Sequence, residues 1–256
     1  MKVKEWIAME KNPIQVADKI FLVLETLAHT GPIGLTELCH EINLNKTTVH
    51  RVLNSLQYLG YVQQDDYTAK YRLSFKIWDI ANQLLEKIDI IEEIRPHLRR
   101  LALQTGETVH LVQMEGIQAT YIAKEESANS VRLVSMVGKN IPLYCSGVGK
   151  AMLADMSDME IKHIWDSSER VALTPHTITN FDTFMTEINH IRKCGYATDN
   201  EENELGVRCV AASLGTTPQS PRYAFSISAP IHRMDNQRIT EIAQIALSVK
   251  QIFLHG

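Results

Sequence analysis

The sequence predicts an α+β fold in three parts, and three observations carry that prediction. Leu35, Leu38 and Ile42, then Val49, Leu53, Leu56 and Leu59, fall at helical spacing on either side of a break at Asn43–Asn45. Two short β-prone runs, Tyr61–Gln64 and Lys70–Leu73, follow at once around a turn at Asp65–Thr68. After a stretch free of Gly and Pro, strand-like and helix-like segments then alternate to the end of the chain. Together they give a winged helix-turn-helix over residues 1–73, a linker helix over 74–90 and a second domain over 91–256, with an antiparallel sheet flanked by helices.

In chain order, Pro13–His29 places Val16, Ile20, Val23, Leu24 and Leu27 on one helix face, closed by Thr30-Gly31-Pro32. This supplies the third helix that a helix-turn-helix core needs, and Val16 and Phe21 are also available to a partner subunit. Asn45 is a good N-cap for the helix that follows, and Gly60 stands where a C′ glycine would end it. The first turn of that helix is polar: Lys46, Thr47, Thr48, His50 and Arg51. Such a turn can be merely a solvated cap, but in a winged arrangement these groups can reach phosphates and base edges in a major groove. Lys70 and Arg72 are the wing residues able to meet phosphate.

From Ser74 to Ile90, Ile77, Trp78, Ala81, Leu84, Leu85 and Ile88 make the amphipathic stripe of the linker. Pro96 is expected to open a new helix ending at Gly106. Strands are expected at Thr108–Gln113, Ala119–Lys124, Val131–Val134, Val207–Leu214 and Arg222–Ser228. Ser157–Glu160 is a capping box that opens a helix, a second runs over about Phe181–Lys193 to Gly195, and a third over about Asn236–Phe253. The last is expected to bury Ile239, Ile242, Ile245, Val249 and Ile252.

Composition bounds the function. The 256 residues are 45% hydrophobic and 22% charged, ordinary for a soluble protein of this length. No apolar run has membrane-spanning length and the start MKVKEWIAMEKN has no signal-peptide core, so a cytoplasmic protein without a membrane partner is expected. The four cysteines are scattered and expected to be reduced. A net charge of −4 argues against a purely electrostatic binder of nucleic acid, although not against a specific one. Residues 1–73 carry eight Lys or Arg and eight Asp or Glu, so Lys46, Arg51, Lys70 and Arg72 would have to be gathered on one face.

Three stretches of the second domain can carry a site. Cys145–Leu153, CSGVGKAML, puts glycines at a loop-to-helix junction, where backbone N–H groups can hold an anion. It lacks the pattern of a nucleotide P-loop, so a small carboxylate fits better than a triphosphate, and a plain tight turn is the alternative. Gly195–Leu214 sets Asp199, Glu201, Glu202 and Glu204 beside a strand with Cys209; acidic runs are usually solvated loops, but a carboxylate turned inward can accept from ligand hydroxyls. Ser226 and Ser228, two apart on one strand, share a face. No HExxH, GxSxG or zinc-like Cys/His spacing is present, and no cofactor is expected. An enzyme acting on a small acid through Cys209 or Cys145, a metal held by Cys209, Asp199 and a His, and a scaffold that binds only protein are the rival readings.

The order of these parts, with SGVGKAML, GYATDNEE and GVRCVA, resembles the IclR family of bacterial transcriptional regulators over nearly the whole chain. Gly195, Asp199, Glu202, Cys209, Val210 and Ala211 fit the spacing of the family signature. The resemblance implies a GAF-like effector domain for a small organic acid, and a homodimer or homotetramer on a palindromic double-stranded operator. It implies that a 2-oxo acid's carboxylate sits on Gly147 and Val148, that Asp199, Cys209, Ser226 and Ser228 complete the pocket, and that Leu133 forms an apolar wall. Asn45, Lys46, Thr47, Thr48, His50, Arg51, Lys70 and Arg72 would then be the DNA-binding set. GETVHL, IPLYCSGVGK and DNEENELGVRC look most like the regulators of 2-keto-3-deoxygluconate metabolism, in pectin and uronate breakdown. A repressor controlled by such an acid is expected, with a metal or an aromatic compound as the alternative effector.

Overall fold

A computed structural model describes residues 12–85, 89–127, 129, 135–215 and 222–255. The chain divides into two compact units, residues 1–87 and 88–256.

In the first unit, α1 (Gln15–Thr30), α2 (Leu35–Glu41) and α3 (Lys46–Tyr58) pack around Val23, Leu27, Leu38, Val49, Leu53 and Leu56. Asn45 caps α3 as the sequence predicts, its side chain accepting the N–H of Thr48, and Gly60 follows the last turn with φ of 79°. β1 (Val62–Gln64) and β2 (Tyr71–Leu73) form the antiparallel wing, with Gln63 opposite Arg72. Asp65 folds the wing turn by accepting from the N–H groups of Tyr67 and Thr68 and the hydroxyl of Thr68, which hold its carboxyl below the usual range. Val16 and Phe21 of α1 are exposed. α4 (Lys76–Leu85) buries no residue; Trp78, Ile80 and Leu84 stand exposed along it, as does Phe75 just before it.

In the second unit, α5 (Asp89–Thr105) carries Pro96 inside it, which corrects the expectation that Pro96 opens a helix. The buried stripe Ile91, Ile94, Leu98 and Leu101 runs continuously past the proline, so packing of that face outweighs the single hydrogen bond proline cannot make. The six-stranded antiparallel sheet has the order β5-β4-β3-β8-β7-β6. Its strands are β3 (Thr108–Glu115), β4 (Gln118–Glu125), β5 (Asn140–Pro142), β6 (Ala197–Asn200), β7 (Val207–Ser213) and β8 (Tyr223–Pro230). The strand expected at Val131–Val134 lies outside the described residues.

α6 (Gly147–Ala154) lies on the sheet, with α8 (Phe181–Cys194) packed against it. α7 (Asp158–Ser167) opens with the predicted capping box, and Gly195 ends α8 with φ of 83°. α5 and α9 (Asn236–His255) pack against each other, on β3 and β4 and on β7 respectively. The stripe of α9 differs from the expected one: Ile242, Ala243, Ala246 and Val249 are buried, whereas Ile252 is exposed. The small alanines let α9 lie close on β7.

Candidate functional site

The strand register assembles the site in two cross-strand rows. Asp199 of β6 pairs with Cys209 of β7, and Cys209 with Ser228 of β8. In the next row Ala197 pairs with Ala211, Ala211 with Ser226, and Ser226 with His110 of β3. Direct pairs share a face, so the polar groups of three distant sequence stretches meet on one surface. The alanines on that surface leave room for a helix end. α6 uses it: a Cβ on Gly147 would stand 3.3 Å from the Ala211 Cβ and 3.4 Å from the Asp199 backbone nitrogen.

A cavity of about 200 Å³ opens between this surface and the start of α6. Six of the seven residues predicted for it line it: Gly147, Val148, Asp199, Cys209, Ser226 and Ser228. Leu133 lies outside the described residues. Ser146 caps α6, its hydroxyl accepting from Gly149 and its carbonyl from Lys150. Among the described residues nothing takes the N–H groups of Gly147 and Val148, which head a helix whose dipole favours an anion there.

The cavity is more polar than the sequence reading expected. His110, Tyr121, Ser135, Asn140, Asn203 and Glu204 line it too. His110 is buried, with Nε2 2.7 Å from the Ser135 hydroxyl and Nδ1 3.5 Å from those of both Ser226 and Ser228. Burial, and then Lys124, push its pKa down to about 3, so the ring is neutral and offers one donor and one acceptor. Its signal in the sequence was a lone histidine among apolar residues of a predicted strand, a pattern that packing residues share.

Asp199 is turned inward, on a strand rather than in the solvated loop that the acidic run suggested. Its Oδ1 accepts the N–H of Glu202 at 2.8 Å, and burial raises its pKa to about 7 against the lowering effect of that bond. Burial and Asp199 raise the thiol of Cys209, and the same two causes, with Glu202 after them, raise that of Cys145 to about 12. The enzyme reading needed a thiolate at one of them, the form that this burial disfavours. Among the described residues no three His, Cys, Asp or Glu side chains are gathered to hold a metal ion.

In the first unit the predicted DNA-binding residues lie at the surface: Asn45, Lys46, Thr47, His50, Arg51, Lys70 and Arg72 are exposed and Thr48 is half-buried at the α3 start. Among the described residues, no salt bridge engages Lys46, Arg51, Lys70 or Arg72.

Comparison with known proteins decides what this pairing of units is. Residues 16–66 match the IclR helix-turn-helix domain, and residues 82–252 match the family described as bacterial transcriptional regulator IclR C-terminal. The chain belongs to the IclR family. Its relatives include the HTH-type transcriptional regulator KdgR of Escherichia coli, 32% identical over 95% of this chain and 94% of that protein. The DNA-binding transcriptional repressor YiaJ of the same organism is 35% identical, over 91% of this chain and 85% of its own length. The crystal structure of the Thermotoga maritima IclR superposes with a TM-score of 0.81 at 28% identity, covering 93% of this chain and 96% of that one. This IclR-family chain is therefore a transcriptional regulator. No helix among its described residues is long and apolar enough to cross a membrane.

Proposed function

We propose that the protein is a repressor released or engaged by a small organic acid. Residues 1–73 bind a palindromic operator as part of a homodimer or homotetramer, residues 74–90 link, and residues 91–256 take the effector. The observation that carries the reading is the α6 start, where two N–H groups without partners among the described residues head a cavity walled by Asp199, Ser226 and Ser228. A carboxylate placed on Gly147 and Val148 leaves a neighbouring hydroxyl to donate to Asp199, or a neighbouring oxo oxygen to accept from the serines. Cys209 fills the wall between them. The polar groups deeper in the cavity suit an acid that carries hydroxyls, and the likeness to regulators of 2-keto-3-deoxygluconate metabolism makes that compound the first to try.

In residues 1–73, Thr47, Thr48 and Arg51 read bases while Lys46, His50, Lys70 and Arg72 meet phosphate. Asn45 fixes the helix start that presents them. Coupling between effector and operator of about 1–3 kcal/mol corresponds to a roughly 5–150-fold change in affinity. The test is fluorescence anisotropy on the DNA upstream of the protein's own gene, at fixed salt, with and without 2-keto-3-deoxygluconate, pyruvate or glyoxylate. An acid that changes operator affinity, and loses that effect in Asp199→Ala, supports the reading. Operator binding indifferent to every acid refutes the effector half, and no binding at low salt refutes the other.

A further inference from the structure

Lys150 is fully buried, and its place in α6 makes that odd. It stands in the first turns of the helix, the end where the dipole disfavours a cation, directly behind the two N–H groups of the cradle. Its Nζ does not face the cavity. It binds the carboxylate of Glu202, in the β6–β7 connection, and lies 3.4 Å from the Glu187 carboxylate of α8. Glu202 is itself buried, and among the described residues its second oxygen has no partner. With two carboxylates on one ammonium, the group adds no positive field to draw an anion in.

Stability does not account for such a group either, because a buried ion pair can often be replaced by apolar side chains at no loss. What the pair does have is a geometric consequence. Glu202 is held three ways: side chain to Lys150, carbonyl to the Thr177 hydroxyl at 2.6 Å, and N–H to Asp199. Asn203, the next residue, also directs its N–H at Asp199, at 3.4 Å. The start of α6 thus abuts Asp199 at Gly147, and one turn further on Lys150 ties the same helix to Glu202, whose N–H binds Asp199.

We propose that Lys150 is a positioning residue for the effector: through Glu202 it holds Asp199 in place beside the N–H cradle of α6. The inference rests on the reading of that cavity as the effector site. Ligand touches neither partner, and both act through residues that it does touch.

The experiment is calorimetric titration of the full chain with 2-keto-3-deoxygluconate and with pyruvate, beside melting curves. Lys150→Met alone strands Glu202 without its cation, and is expected to lower both the melting temperature and the affinity. Adding Glu202→Gln removes the stranded charge at nearly constant volume. The double variant is expected to melt close to the wild type while binding acid at least tenfold more weakly. Affinity that returns together with stability overturns the proposal, since the pair would then be structural only.

Hydrogen exchange on the wild type decides the matter should the double variant not fold. The amides of Glu202 and Asn203 are expected to open only together with those of Gly149 and Lys150; independent, faster opening overturns the proposal. If the wild type binds neither acid, the effector reading fails for those acids, and the exchange result still shows whether the pair holds the segment.

Discussion

Two glycines of one helix start are expected to fail in different ways when a methyl group is added. In Gly149→Ala the new Cβ would stand 2.3 Å from the Leu143 carbonyl oxygen, 2.4 Å from its Cα and 2.7 Å from its carbonyl carbon. All three are backbone atoms, so no side chain can swing aside, and α6 or the segment at Leu143 must move. Overpacking of this kind costs about 1–3 kcal/mol and occasionally more. With backbone on both sides of the contact the upper figure applies. At about 2–4 °C per kcal/mol for domains of this size, the effector unit should melt roughly 6–12 °C lower. In Gly147→Ala the nearest atom is the Ala211 Cβ at 3.3 Å, which a few tenths of an ångström of adjustment relieves. Its cost belongs at the lower end, about 1 kcal/mol. That methyl instead presses the helix start away from Ala211 and Asp199 at the edge of the cavity, so acid binding should weaken with the fold intact. Calorimetric melting and titration of both variants check the pair. Equal melting of the two, or a Gly149→Ala protein as stable as the wild type, refutes the close-approach argument.

Other perturbations test other parts. Arg51→Ala removes an exposed group that no salt bridge engages among the described residues, so melting should stay within about 0.5 kcal/mol of the wild type, while operator affinity falls by about 1–3 kcal/mol in anisotropy titrations. Lys70→Ala should weaken binding to all sequences alike and reduce the slope of log affinity against log salt by about 1. Asn45→Ala deletes the cap of α3 and should destabilise the first unit by about 1 kcal/mol, measured in urea. Asp199, raised to about 7 in the fold, binds its proton more tightly folded than unfolded. Its contribution to stability is therefore fully present below pH 4 and is lost as pH rises through 7. His110, lowered to about 3, works in the opposite sense, losing stability as pH falls below 6.5. The difference between wild-type and Asp199→Asn melting, followed from pH 4 to 8, isolates the first effect; a flat difference refutes the raised carboxyl.

The elements that local rules govern were the legible ones. Helix caps at Asn45, Ser157 and Gly195 are decided by a few neighbouring atoms, and each formed where the sequence placed it. Pro96 misled because a local rule met a longer apolar stripe that packing preferred to keep whole. The site residues Gly147, Asp199, Cys209, Ser226 and Ser228 could be picked by chemistry and by resemblance, and they do share a cavity. His110 and Lys150 could not. What each does depends on burial and on partners 25 to 118 residues away, such as Ser135 and Ser228 for His110. Neither residue type announces that in a strand or an amphipathic helix.

The spacing of the family signature acquires a physical meaning in this geometry. Gly195 lets α8 end in a left-handed turn, so that β6 can start two residues later. Glu202 follows Asp199 at an offset of three because the carboxyl oxygen of one accepts the amide of the other and closes the turn. Glu202 is then delivered to Lys150, while the return strand brings Cys209 opposite Asp199 and Ala211 under Gly147. Val210, between them, faces away and is fully buried. A one-residue slip of β7 would exchange these faces, putting Val210 under the helix start and Cys209 out of the cavity. The acidic run is thus best understood as the hinge of the site: it sets the register that makes the cavity, and the buried pair behind α6 keeps that register from drifting.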